Sequence, residues 1–220
     1  LFQKFVNEQS DVASLKTGDD EKYNKFLDAF PKETLDNQLT LENYCKNENN
    51  FCSWLVSGLE KSIGSHNRWR SAWLIYFEKD QNKYVKAKLF DDLSDIDAMK
   101  ELAKLHAFIA NHHPEDILDD DKKISEILGL KSHISLGNAR KLRITQAYYP
   151  DYFPLINSPA GIAQYLEFLG VNSDSISLIK DKPYELANLF YEHYLYVQEK
   201  IKGKLSTYGF ARALYSGAIG

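Results

Sequence analysis

Long apolar runs are missing from this chain: none approaches the roughly 20 residues needed to span a bilayer. The opening residues Leu1 to Phe5 carry no charged region followed by an apolar one, so they do not read as a secretory signal. Because the sequence starts at Leu1 and not at Met, it reads as a piece of a longer protein. Cysteine is almost absent. Cys45 and Cys52 are the only two, with six residues between them, which gives no C-x-x-C motif and fits free thiols better than a disulfide framework. That usage fits a cytoplasmic protein with buried reduced thiols.

Chemistry-bearing motifs are scarce as well. There is no GxxxxGK[ST], so no nucleotide is hydrolysed by that route here. Pro150-Asp151 matches the first half of a PD…(D/E)xK nuclease motif, but the acid-x-Lys half is missing. His112, His113, Glu115 and Asp116, with His106 upstream, are the one cluster resembling metal ligands. They collect at a helix end before Pro114, without the spacing of a three-ligand zinc site. The expectation is a fragment that is not an enzyme and holds no metal and no cofactor.

What is present is an ordinary globular composition, 44% hydrophobic and 26% charged, with a net charge of −4 that is unevenly spread. Residues 61–90 carry seven Lys/Arg and two acids, residues 91–130 eleven acids and four Lys, and residues 131–150 four Lys/Arg and no acid. Two positive blocks therefore flank a negative one. Such blocks mark either solvated faces or a surface for a charged partner.

Periodicity gives the organisation. Tyr23, Phe26, Leu27 and Phe30 recur at helical spacing before Pro31. Thr40 suits the cap of a short helix with Leu41, Tyr44 and Cys45, and Asn50 suits a second with Phe51, Trp54, Leu55, Leu59 and Ile63 ending at Gly64. Residues 72–77 are apolar throughout, and after 78–82 the chain alternates from Tyr84 to Leu89, which predicts a β-hairpin. Val85, Ala87 and Leu89 are expected inward, with Tyr84, Lys86 and Lys88 outward. Ser94-x-x-Asp97 opens a helix to about Asn111 with Ile96, Met99, Leu102, Ala103, His106 and Ile109 inward. Asp119–Asp121 start another, and Pro183 starts a long last helix that Gly203 follows. Tyr148, Tyr149, Tyr152 and Phe153 read as core. The fold class is α+β, mainly helical with a small antiparallel hairpin. Residues 1–38 read as an N-terminal helical arm, 39–130 as the α/β-hairpin core, 131–203 as a helical part packed on it, and 204–220 as a linker toward a further domain.

Three segments, in order, resemble the N-terminal region of McrB-like AAA+ restriction proteins. Asn50–Val56 followed by Leu59–Ser65 is similar to a Phe-x-x-Trp-Leu-Glu helix running into Leu-Gly-Ser-Ile, and Trp73–Tyr76 takes the place of a Phe-Gly-Ile-Tyr strand. Asp95–Asn111 matches an amphipathic helix. Ile134–Ile144 with Tyr148–Phe153 is similar to a Leu-Gly-x-Ala-x-Lys element that ends in Leu-Tyr. The likeness covers roughly residues 50–170. It departs at Val56, where the family prefers Glu, and at His66–Arg70, which replaces a glycine-rich turn. The resemblance implies a bacterial phage-defence parent with a GTP- or ATP-driven AAA+ motor, working with an McrC-like nuclease subunit on double-stranded DNA that often carries a modified base. It also implies that 204–220 leads toward that motor.

A DNA reader needs cations for phosphates and aromatic or polar groups for bases. The first positive block offers Asn67, Arg68, Trp69 and Arg70 on a turn beside Lys83, Lys86 and Lys88; the second offers Arg140, Lys141 and Arg143. These ten residues are the candidate DNA contacts. The alternative is a protein–protein interaction domain that docks the nuclease subunit or braces the motor ring without touching DNA. On the first reading, Arg68→Ala or Lys86→Ala weakens DNA binding and flattens its salt dependence, measured by fluorescence anisotropy at two salt concentrations.

Overall fold

Several helices in this protein begin where the sequence supplies a side-chain acceptor. In the computed structural model, which describes residues 2–8, 20–59, 73–152 and 158–218, Asn50 Oδ1 accepts from the Ser53 N–H at 2.8 Å and Ser94 Oγ from Asp97 at 3.1 Å. Asp120 Oδ1 accepts from Lys123 at 3.0 Å and Asn172 Oδ1 from Asp174 at 2.7 Å. Each bond satisfies an N–H that a helix start leaves orphaned. The described elements are α1 (Phe2–Glu8), α2 (Asp20–Ala29), α3 (Leu35–Gln38), α4 (Phe51–Ser53), β1 (Ile75–Glu78), β2 (Lys83–Lys86), α5 (Asp95–Asn111), α6 (Asp121–Ile127), α7 (Asn138–Tyr148), α8 (Pro159–Phe168), α9 (Ser173–Ile179), α10 (Pro183–Lys200) and α11 (Thr207–Ala218). Two further turns, Glu42–Lys46 and Trp54–Gly58, are π-helical, and α4 runs directly into the second. The fold is α+β as expected, mainly helical with one antiparallel hairpin. Among the described residues no helix is long and apolar enough to cross a membrane.

Helix α7 is the centre. It packs on α5 and α10, and every residue from Lys141 to Tyr148 is buried. A helix enclosed on all sides normally reads as apolar throughout, yet this one contains Lys141, Arg143, Thr145 and Gln146. The polar groups of Lys141, Arg143 and Thr145 are met inside, Thr145 Oγ1 donating to the Lys141 carbonyl at 3.0 Å. Arg143 Nε donates to the Leu55 carbonyl at 2.7 Å, Lys141 Nζ lies 2.5 Å from Asp121 Oδ1, and the Tyr148 hydroxyl donates to the Phe30 carbonyl at 3.0 Å.

Part of the acidic stretch 91–130 is likewise spent within the fold. Asp119 accepts from the Tyr184 and Glu185 N–H groups at the start of α10, and Glu101 accepts from the N–H groups of Lys131 and Ser132. Helix α5 turns Met99, Leu102, Ala103, His106 and Ile109 inward as expected. Ile96 does not follow: in the first turn, ahead of the buried stripe, it is 61% exposed.

Residues 204–220, expected as a linker, depart most from expectation. Most of them form α11, with Phe210, Ala211, Ala213 and Leu214 buried. The small residues that suggest a linker allow this helix to pack closely instead. The Leu205 carbonyl anchors its entry, accepting from Tyr194 Oη at 2.8 Å and from Gln198 Nε2. Helix α1 closes over it: Phe2 stacks on Phe210 at 5.0 Å, and Gln3 exchanges two bonds with the backbone of Lys202.

The hairpin forms, but with its faces exchanged. Ile75 pairs with Lys86 and Phe77 with Tyr84, so these four share one face, while Tyr76, Glu78, Lys83 and Val85 share the other. Ile75 is 1% exposed, which makes its face the inner one. Tyr84 and Lys86 therefore point inward and Val85 outward, the reverse of the expected alternation. The strand also ends at Lys86, and past it Leu89 is exposed and Phe90 is fully buried. A side-chain period of two means that a single-residue error inverts every position.

His106 is wholly buried on α5, with its ring edge-on to Tyr44 and to Phe51 at 5.5 Å each. Nδ1 lies 2.7 Å from the Leu102 carbonyl and must carry the proton, which leaves a lone pair on Nε2 with no hydrogen-bond partner. Burial pushes the imidazole down to about 4; the Leu102 bond opposes this, and the Arg140 charge adds to it. The unfolded chain takes up this proton near 6.5 and the folded one only near 4, so stability is full above 6.5 and falls as pH drops through that window. Between pH 7.5 and 5.0 the expected loss is about 2 kcal/mol. Urea denaturation at both values checks it; His106→Leu should remove most of that difference, and an unchanged difference would reject the assignment.

Candidate nucleic-acid interface

The structure separates the candidate contacts. Asn67, Arg68, Trp69 and Arg70 lie outside the described residues. Lys83 is exposed on the outer face of the hairpin, and Lys88 is exposed in the turn after β2. Lys86 is on the opposite face, where Nζ bonds to the Leu93 carbonyl and lies 3.3 Å from Asp95 Oδ1, fastening the hairpin to the start of α5. Lys83, Lys86 and Lys88 therefore do not form the single lysine face expected of them. Lys141 and Arg143 are corrected outright: they are 4% and 0% exposed and hold α7 in place. Arg140 is half-buried beside Tyr44, and its burial lowers the guanidinium pKa. Cations three apart on a helix look like a surface cluster only while nothing covers that helix.

A site that the sequence did not reveal lies next to the hairpin. A groove of about 590 Å³ runs between β1 and the segment from Cys45 to Ser57. Trp73, Tyr76 and Phe77 line it from the strand side, Asn47 and Ser53 from the other, and Lys46 and Lys79 contribute two cations. Both π-helical turns border it, through Cys45 and Lys46 in one and Val56 and Ser57 in the other. Such turns widen a helix by one residue and are frequent at functional sites. Strain collects here too. Leu74, between Trp73 and β1, has φ +66, a left-handed conformation rare for a bulky side chain. It is held there by the Ala87 N–H, which donates to its carbonyl at 2.7 Å.

The walls of the groove are fixed by their own bonds. The Tyr44 hydroxyl donates to the Trp73 carbonyl at 2.8 Å, tying one π turn to the strand entry. Asn50 Nδ2 donates to the Asn47 carbonyl, and Ser53 Oγ donates to the Asn50 carbonyl at 2.7 Å. Lys46 Nζ sits 4.9 Å from the Phe77 ring centroid, a cation–π contact beside the groove. Both thiols border the groove in neutral form, since burial pushes Cys45 up to about 12 and Cys52 well above its ordinary value. Thiolate chemistry is therefore suppressed at neutral pH, and the groove offers aromatic faces, amides, two ammonium groups and the Glu48 carboxylate.

Among the described residues, no three His, Cys, Asp or Glu side chains converge to hold a metal. His112 lies tilted against Phe108 with ring centroids 3.9 Å apart, while His113 turns edge-on to Tyr149 and Tyr152. Lys46, Asn47 and Lys79 escaped the sequence reading. The polar run Lys46–Asn50 between two apolar helical patterns is the signal that marks them.

Comparison of the chain with protein-family models, curated proteins and solved structures gives no match.

Two kinds of lysine and arginine follow from this placement. Lys141→Ala strands Asp121 beside a buried helix, and Arg143→Ala strands the Leu55 carbonyl; each is expected to cost about 3 kcal/mol. Lys83→Ala and Lys88→Ala should stay within about 0.5 kcal/mol of the parent. Chemical denaturation of the four variants tests the division, and equal costs across the set would refute it.

Proposed function

We propose that this chain is the DNA-recognition module of an McrB-like restriction system, working in the cytoplasm and contributing no catalysis itself. The observation that carries the reading is the groove: aromatic lining from the half-buried Tyr76 and Phe77 over the buried Trp73, the amide of Asn47, and Lys46 and Lys79 bordering it. Aromatic faces with nearby cations are what an unstacked base and its phosphates require. The outward Lys83, on the strand paired with β1, extends the positive charge. The ordered resemblance over residues 50–170 supplies the context of a motor and an McrC-like nuclease subunit acting on double-stranded DNA, with or without a modified base.

The second reading, a docking domain that never touches DNA, draws support from the net charge of −4 and from the burial of Lys141 and Arg143. Anisotropy with labelled duplexes, modified and unmodified, at two salt concentrations separates the two. Lys79→Glu with Lys83→Glu is expected to weaken binding at least tenfold and to reduce the salt slope by about two. Unchanged affinity in that double variant, or no salt-dependent binding by the parent chain, gives the case to the docking reading.

A further inference from the structure

A second surface has chemistry of the opposite sign. His113 is edge-on to Tyr149 at 5.5 Å and to Tyr152 at 4.9 Å, and Tyr152 stacks on Tyr191 at 4.0 Å with the rings 28° apart. The four rings form one continuous row drawn from the end of α5, the end of α7 and the middle of α10. Tyr152 is the buried member. Its hydroxyl donates to Asn188 Oδ1 at 2.9 Å and lies 3.4 Å from Glu115 Oε1, which fixes the centre of the row. His113, Tyr149 and Tyr191 are half-exposed.

Carboxylates surround these rings. Glu115 and Glu192 are exposed and close enough that, after burial, their charges help push the Tyr152 phenol upward. Asp151 acts in the same direction on Tyr194, beside Tyr191. Among the described residues Glu115 has one ion-pair neighbour, His113 at 3.7 Å, beside the Tyr152 hydroxyl bond, and neither Asp151 nor Glu192 forms an ion pair. One end of the row already takes a cation: Lys32 Nζ lies 5.1 Å from the Tyr149 ring centroid. At the other end, Glu192 follows Tyr191 in the chain, and among the described residues no cation lies over the Tyr191 ring.

We infer that the Tyr149–Tyr152–Tyr191 row, flanked by Glu115 and Glu192, docks a basic segment of a partner protein, with an arginine side chain over Tyr191. A guanidinium is suited to both parts of the surface. It stacks on an aromatic face and presents a planar set of donors to carboxylates, and it is more weakly hydrated than an ammonium. The sign of the site excludes nucleic acid, whose phosphates the carboxylates repel. The inference stands apart from the DNA reading, because it uses a different surface and a ligand of opposite charge.

The test is anisotropy of a fluorescein-labelled peptide of alternating Arg, Gly and Ser, beside a Lys version and a neutral Gly/Ser version. The Arg peptide should bind the whole chain at least tenfold more tightly than the neutral one, and more tightly than the Lys peptide. Glu115→Gln with Glu192→Gln should weaken it at least fivefold. Glu126→Gln with Asp174→Asn, which removes the same charge elsewhere, should not. Tyr191→Leu keeps an apolar side chain, removes the π face, and should also weaken binding at least fivefold. Equal binding of all three peptides, or equal losses in the two charge-matched double variants, overturns the proposal. The carboxylate variants are on the surface, so their result stands even if Tyr191→Leu disturbs packing.

Discussion

One hydrogen bond, from Arg143 Nε to the Leu55 carbonyl, couples the centre of this protein to the wall of its groove. A guanidinium cannot lose its proton inside a protein, so enclosing α7 requires an acceptor wherever Arg143 points. Leu55 supplies it from within the second π-helical turn, 88 residues away. Lys141 imposes the same demand, and Asp121 at the start of α6 answers it. The positions of α6, α7 and the Trp54–Gly58 turn are therefore set by where buried charge must be paired or hydrogen-bonded as much as by apolar packing. Leu142, Ile144 and Ala147 fill the remaining space around the helix.

The acidic block then takes on a different meaning. Asp119, Asp120 and Asp121, consecutive in the chain, serve three separate tasks: the start of α10, the start of α6 and the partner of Lys141. Part of a charge block that looks like a solvated face is drawn to helix ends and to a buried lysine. The net result is a core whose polar bonds join elements far apart in sequence, with two surfaces of different character at its edges. One is the groove beside the hairpin, with ammonium groups and aromatic rings; the other is the tyrosine row, with carboxylates.

What the sequence reveals divides along physical lines. Caps at Asn50, Ser94 and Asp120, the stop at Pro31 and the start at Pro183 are local, decided within a few residues, and they stand where the pattern places them. Orientation of the hairpin is not local. Tyr84 and Lys86 alternate with Val85 as either face would allow, and Lys86 turns inward because Leu93 and Asp95 give its ammonium a place to bind. The same holds for Lys141 and Arg143, whose acceptors are remote in sequence. The helix over 207–218 hides behind its small residues, since Gly and Ala are ambiguous between a flexible tether and a closely packed helix. The groove was the least legible part. Neither π turn carries a composition signal, and Leu74 takes a left-handed backbone because the Ala87 N–H meets its carbonyl there, not because its side chain favours one.

The two π turns have an evolutionary consequence. Each closes with a bond five residues back, from Asn47 N–H to the Glu42 carbonyl and from Leu59 N–H to the Trp54 carbonyl, where an α-helix would reach only four. A π turn is thus an α-turn holding one extra residue. Deleting a single codon in either turn restores the ordinary ladder and rotates the chain on one side of it by about 100° relative to the other. Where the deleted residue is not Cys45, Lys46, Val56 or Ser57, the cleft is then reshaped with every lining side chain retained. Its shape is a property of chain length, open to change by insertion and deletion where substitution in so enclosed a core is closed off.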